Sequence, residues 1–91
     1  MNDEVFNIPP SNSLDLHRFK PKEVEDLIDE FIWSCHQAGI FEAEIIHGKG
    51  TGSMRELSHA VLKKNQRVKS FQLGGTVNSQ NWGKTSFVLI E

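Results

Sequence analysis

The chain holds a single cysteine, Cys35. That excludes an internal disulfide framework and a cysteine-rich zinc site, and it fits a reducing compartment. No run of about 18 apolar residues occurs, so no segment reads as a membrane span. The opening MNDEVFNIPPSNS is acidic and lacks an apolar h-region, so it does not read as a signal peptide. Internal repeats and long low-complexity tracts are missing too. These absences point to a cytoplasmic protein without a membrane partner. With 91 residues there is room for one domain and one modest core.

Excess positive charge is also lacking: the formal net charge is −2. The sum hides an asymmetry. Between Phe19 and Ile46 two basic residues stand against seven acidic ones. Between His47 and Thr85 seven basic residues stand against Glu56 alone. A solvated helix face and a basic hairpin would account for this, but a basic half also suits a polyanion partner.

The most informative stretch is Ile45 to Leu57, IIHGKGTGSMREL. It reads as a strand ending at His47, a turn through Gly48, Lys49, Gly50, Thr51 and Gly52, and a helix opening at Ser53. Ser53 and Glu56 fit a capping box. Glycines let backbone N–H groups turn toward a ligand, and the first helical turn leaves N–H groups without helical partners. Lys49 adds charge and His47 a group that titrates near neutral pH. The expectation is a phosphate site. GKGTGS satisfies neither GxGxxG nor GxxxxGK[ST], which excludes the dinucleotide and Walker readings.

Residues 1–13 read as a lead-in, and residues 14–91 as the domain. Leu14 to His17 alternates as a short strand, with Leu14 and Leu16 inward and Asp15 and His17 on the other face. A helix follows from Pro21 to Ala38, its apolar stripe being Val24, Leu27, Ile28, Phe31, Ile32 and Cys35, and Gly39 ends it. Phe41 to His47 is a second strand and Ser53 to Asn65 a second helix, with Met54, Leu57, Ala60, Val61 and Leu62 inward. Val68 to Leu73 and Lys84 to Ile90 are two more strands around a polar loop. The order is β-α-β-α-β-β. A strand–helix–strand unit favours a parallel pair, which brings His17 and His47 to one sheet edge, where ligands of such sheets sit. His36 and His59 fall within helices and are assigned no chemistry. Trp33 and Cys35 read as packing residues.

LDLH at Leu14–His17, IIHGKGTG at Ile45–Gly52, VKSF at Val68–Phe71 and the final TSFVLIE together resemble the Smr (small MutS-related) domain family, and the chain looks like a stand-alone member. HGKGTG about thirty residues after LDLH is what makes the resemblance specific. It implies a two-layer α/β (α+β) sandwich, a four-stranded mixed sheet with two helices, similar to the C-terminal domain of translation initiation factor three. It implies nucleic-acid binding and, in many members, endonuclease activity on DNA or RNA. The family's functional positions fall on Asp15, His17, His47, Gly48 and Gly50. Arg18 stands where the family usually has glycine.

Phosphodiester hydrolysis needs a base, a proton for the leaving oxygen and positive charge around the phosphate. His17 is the candidate base with Asp15 orienting it, and His47 the candidate acid. Arg18, Lys49, Arg55, Lys84 and the backbone of Gly48, Gly50, Thr51, Gly52 and Ser53 are candidate phosphate contacts, and Trp82 a base-stacking one. Asp15 is the obvious carboxylate for Mg2+ or Mn2+, although one carboxylate makes a thin site. The first reading is an endonuclease on structured DNA or RNA. The second is a nucleic-acid-binding module without catalysis, and the third a protein-interaction domain using the open sheet face. DNA is not distinguished from RNA, and the oligomeric state is left open, a monomer being compatible with the reading.

Overall fold

A computed structural model of the chain describes residues 12–48, 52–74 and 83–91. Of the lead-in expected at residues 1–13, residues 1–11 lie outside the described residues, as do Lys49, Gly50, Thr51 and Trp82; Ser13 instead opens the first strand, and the Asn12 carbonyl accepts Glu44 N–H at 2.8 Å. The elements are β1 (Ser13–Asp15), a 3-10 turn (Pro21–Glu23), α1 (Val24–Gln37), β2 (Glu42–Ile46), α2 (Ser53–Lys64), β3 (Val68–Leu73) and β4 (Lys84–Leu89).

Local chemistry sets the boundaries. Pro21 opens the turn before α1, where its missing N–H costs no helical bond. Glu23 Oε1 accepts the Lys20 backbone N–H at 2.8 Å. Gly39 closes α1 with φ +76°. Its N–H donates to the His36 carbonyl at 3.2 Å, and Ile40 N–H to the Cys35 carbonyl at 2.8 Å. That is a Schellman ending, and glycine takes the left-handed position without strain.

The sheet order is β1-β2-β4-β3. β1 and β2 are parallel, while β4 runs antiparallel to both β2 and β3. The sheet is therefore mixed, and the chain's last strand lies between β2 and β3. Along β2 and β4 alternate residues point to the helices: Ala43 and Ile45, then Thr85, Phe87 and Leu89, are buried. They join Leu16, Val24, Ile28, Ile32, Cys35, Val61 and Leu62 in one core. Each large apolar side chain buried there stabilises the fold by roughly 1.5–3 kcal/mol. Phe31 meets Phe87 edge-on, with centroids 6.1 Å apart. The helices also meet through Lys64 Nζ, 2.6 Å from Glu25 Oε2, and Asn65 Nδ2, which donates to Asp29 Oδ1 at 3.0 Å. Both pairs are exposed, so they add little beside the core.

The other sheet face carries Glu42, Glu44 and Ile46 from β2, opposite Val88, Ser86 and Lys84 of β4. Glu44 accepts from Ser13 Oγ at 3.2 Å and pairs with Lys84 Nζ at 2.9 Å. No described helix is long and apolar enough to cross a membrane.

Three expectations need correction. β1 ends at Asp15, so His17 lies in the turn that follows. Gly52, not Ser53, is the N-cap of α2, and Ser53 is its first helical residue. Leu57 and Ala60 are exposed, and Ser58 takes the inward place. Ser58 can be buried because its hydroxyl donates to the Met54 carbonyl one turn back, at 2.8 Å.

Candidate functional site

The parallel β1–β2 pairing sets Leu14 beside Ile45 and Asp15 beside Ile46. Both strands therefore finish at one edge. Leu16 N–H reaches the Ile46 carbonyl at 2.9 Å, and Phe19 N–H then closes a turn onto Leu16 at 3.0 Å. His17 sits inside that turn. Asp15 Oδ1 takes its backbone N–H at 2.8 Å and lies 2.6 Å from its ring Nδ1. A carboxylate only accepts, so Nδ1 carries the proton and Nε2 is left as the basic nitrogen. Both side chains are exposed. Asp15 is held below the usual carboxylate range, first by the His17 backbone N–H, then by its ring, with Arg18 adding a smaller attraction.

His17 Nε2 faces the glycine turn. A Cβ built on Gly48 would lie 3.0 Å from it. Gly48 also has φ +81°, a region L side chains rarely adopt. Two independent reasons thus require glycine here. The Gly83 carbonyl fixes the approach by accepting His47 N–H at 2.9 Å and Gly48 N–H at 2.8 Å.

His47 is buried on the helix side. Its Nδ1 is 3.1 Å from the Gly48 carbonyl and its Nε2 2.8 Å from Thr85 Oγ1. Thr85 is fully buried, and its hydroxyl also lies 2.7 Å from His59 Nε2. The two imidazoles meet edge-on with centroids 6.1 Å apart, and His59 leans on Phe71 at 5.0 Å. Burial pushes both histidines below their ordinary value. The Arg55 charge lowers both further, and the hydrogen bond to Gly48 partly offsets the effect at His47.

Arg55 belongs to the first turn of α2, and His59 follows four residues later on the same side of the helix. At Gly52, where φ is +90°, an added Cβ would lie 2.7 Å from Arg55 Nη2. The guanidinium is folded over the helix N-terminus. A cation there is disfavoured by the helix dipole, and an anion would relieve the conflict.

The structure therefore brings Asp15, His17, His47, Gly48, Gly52 and Arg55 to one edge, with Ser53 opening the helix beside them. Arg18 is exposed next to Asp15. Lys84 shares the sheet row of Ile46 and Asp15, but its ammonium is turned to Glu44. His59 and Thr85 are participants the sequence reading missed. The available signal was the Arg55–His59 spacing of one helical turn. The described residues gather no group of three His, Cys, Asp or Glu side chains that could hold a metal ion. Asp15 Oδ1 is already bonded to His17, so Asp15 offers a divalent ion one remaining carboxylate oxygen.

The family model of the Smr domain matches residues 14–90. The chain belongs to the Smr domain family. Two relatives, each named Endonuclease MutS2, come from Halothermothrix orenii and Ruminiclostridium cellulolyticum. The first is 39% identical over 64 residues, covering 70% of this chain and 8% of the relative. The second is 37% identical over 71 residues, covering 78% and 9%. This Smr chain thus spans less than a tenth of the length of those proteins. The crystal structure of the Smr domain of Thermus thermophilus MutS2 matches with a TM-score of 0.79 at 25% identity, covering 88% of this chain and 99% of that one. YdaL, a stand-alone small MutS-related protein from Escherichia coli, also gives 0.79, at 22% identity, covering 91% and 67%. The β-α-β-α-β-β Smr fold is what these structures share with this chain.

Proposed function

We propose that this Smr domain binds a phosphodiester of DNA or RNA at the turn between Gly48 and Gly52 and cleaves it with His17 as general base. The observation that carries the reading is the Asp15–His17 pair, 2.6 Å apart, whose basic Nε2 is aimed at the Gly48 turn. Asp15 holds the ring in one tautomer and stabilises the imidazolium that forms. His17 Nε2 takes the proton of the attacking hydroxyl, from water or from an RNA 2′-hydroxyl. The bond from phosphorus to the leaving oxygen breaks, and that oxygen takes a proton from the solvent that reaches this exposed edge. Arg55, the Gly48 and Gly52 backbone and the first turn of α2 hold the phosphate, with Lys49, Gly50, Thr51 and Ser53 as further contacts. Arg18 supplies outer positive charge and Trp82 a stacking surface, while Lys84 is paired with Glu44.

Here the roles divide differently from the sequence reading. His47 has both ring nitrogens engaged inside the protein, so we assign it to holding the turn and not to protonating a leaving group. The same burial supports the second reading, binding without cleavage. The names of the relatives favour the endonuclease.

The test is cleavage of supercoiled plasmid and of an RNA panel by wild type and His17→Ala. General-base catalysis contributes about 10²–10⁴-fold, so a rate loss of that order is expected, with oligonucleotide affinity little changed. Equal rates would sink the role of His17. Salt-dependent binding with no cleavage of any substrate would select the second reading.

A further inference from the structure

Gly48 O can only accept a hydrogen bond, so the His47 Nδ1 beside it must carry a proton. His47 is buried and stands near the Arg55 cation, so its ring is neutral and Nε2 is bare. The Thr85 hydroxyl then donates to that nitrogen. It has no second proton, so it must accept from His59, which makes His59 the Nε2–H tautomer. Were His47 protonated, its Nε2–H would donate to Thr85 Oγ1 and the Thr85 hydroxyl would donate to a bare His59 Nε2, so the His59 tautomer tells the two directions apart. Burial of His47 and the nearby Arg55 cation favour the neutral ring and with it the direction from His59 to His47.

We propose that His59 and Thr85 are positioning residues for the glycine turn, acting through a one-way hydrogen-bond chain from His59 Nε2–H to Thr85 Oγ1–H to His47, and from His47 Nδ1–H to the Gly48 carbonyl. The chain fixes the Gly48 peptide and with it the place of the Gly48 Cα against His17 Nε2. Its effect on ligand binding rests on the reading of that turn as the phosphate site. The chain itself does not. It joins α2, β4 and the end of β2, three elements with no covalent reason to hold one register at this point. His59 fits the task because its ring is braced by Phe71 and its helix starts at the turn.

The test uses 15N NMR of the imidazoles in the wild-type chain, with Thr85→Val, Thr85→Ser, His59→Phe and His59→Gln. At pH 7 His47 is expected as the Nδ1–H tautomer and His59 as the Nε2–H tautomer. Thr85→Val keeps the shape and removes the hydroxyl. It should unlock the His47 tautomer, shift the Gly48 amide resonance and weaken binding of a single-stranded oligonucleotide about two- to tenfold, the scale of one buried hydrogen bond. Thr85→Ser should restore all three readouts. Gln places an N–H near the position of Nε2, so His59→Gln should hold the tautomer where His59→Phe loses it.

A wild-type His59 in the Nδ1–H form overturns the chain whatever the variants do. So does a Gly48 amide unmoved by Thr85→Val, or a folded Thr85→Ser that behaves like Thr85→Val. If the wild type binds no oligonucleotide, the phosphate-site reading falls, while the tautomers and the Gly48 amide still decide the chain.

Discussion

Three histidines stand at one edge of this sheet, and their surroundings divide them into two kinds. His17 is exposed, anchored through one nitrogen by a carboxylate, with the other facing the glycine turn. His47 is buried with both nitrogens engaged, and His59 shares its threonine. On the proposed reading the same side chain is a reagent in one place and a strut in the other. What separates His17 from His47 is whether a basic nitrogen remains after the protein's own bonds are counted. Gly48 is where the two regions touch, since its carbonyl belongs to the buried chain and its Cα faces His17.

Gly48→Ala is the most damaging way to break that division. The left-handed backbone costs a non-glycine residue about 1–2 kcal/mol. The new methyl group would also meet His17 Nε2 at 3.0 Å. The imidazole must turn away or the turn must shift, so unfolding by urea should show the stability loss and cleavage should fall at least as far as in His17→Ala. Wild-type stability and rate in the Gly48→Ala variant would mean that the turn is not built as described.

Acid separates the two regions by a smaller amount. His47 and His59 are held below their ordinary value, first by burial, so the unfolded chain binds protons at a pH where the folded chain does not. Stability is therefore present in full above the unfolded pKa of about 6.5 and is lost as pH falls toward the folded values. Between pH 7.5 and 5.5 urea-derived stability should drop, with a slope of up to about 1.4 kcal/mol per pH unit for each proton taken up on unfolding. His59→Gln should flatten that slope. Stability that stays level or rises across this range in the wild type would contradict the neutral His47–His59 pair.

Much of this was legible in the chain because it depends on local rules. Proline before the first helix, glycine after it and alternation along the strands fix the elements without reference to the rest of the molecule. Asp15 and His17 were legible as a pair because they lie two residues apart, where one strand gives way to a turn. The buried network was not, because Thr85 is 38 residues from His47 and 26 from His59. Their meeting depends on β4 being inserted between β2 and β3, which no local pattern announces. The face of α2 was misread for a related reason. Leu57 looks like core and Ser58 does not, yet a serine bonded to its own helix can be buried while a leucine at the rim stays exposed.

The mildest test alters only the surroundings of the exposed pair. Arg18 stands beside Asp15, whose charge it helps to stabilise. If it contacts one phosphate, Arg18→Gly should lower the slope of log affinity against log salt by about 0.7–0.9. Binding should weaken most at low salt, and the tautomers of His47 and His59 should not change. The cleavage rate should stay within a few-fold of wild type, because among the described residues neither the Asp15–His17 bond nor the hydrogen bonds of Gly48 involve the arginine side chain. A large gain in rate would instead mean that Arg18 obstructs the site. An unchanged salt slope would place its guanidinium away from the nucleic acid altogether. Either result would still leave the division between the exposed and buried histidines to be judged by Gly48→Ala, since Arg18 touches only the exposed side of it.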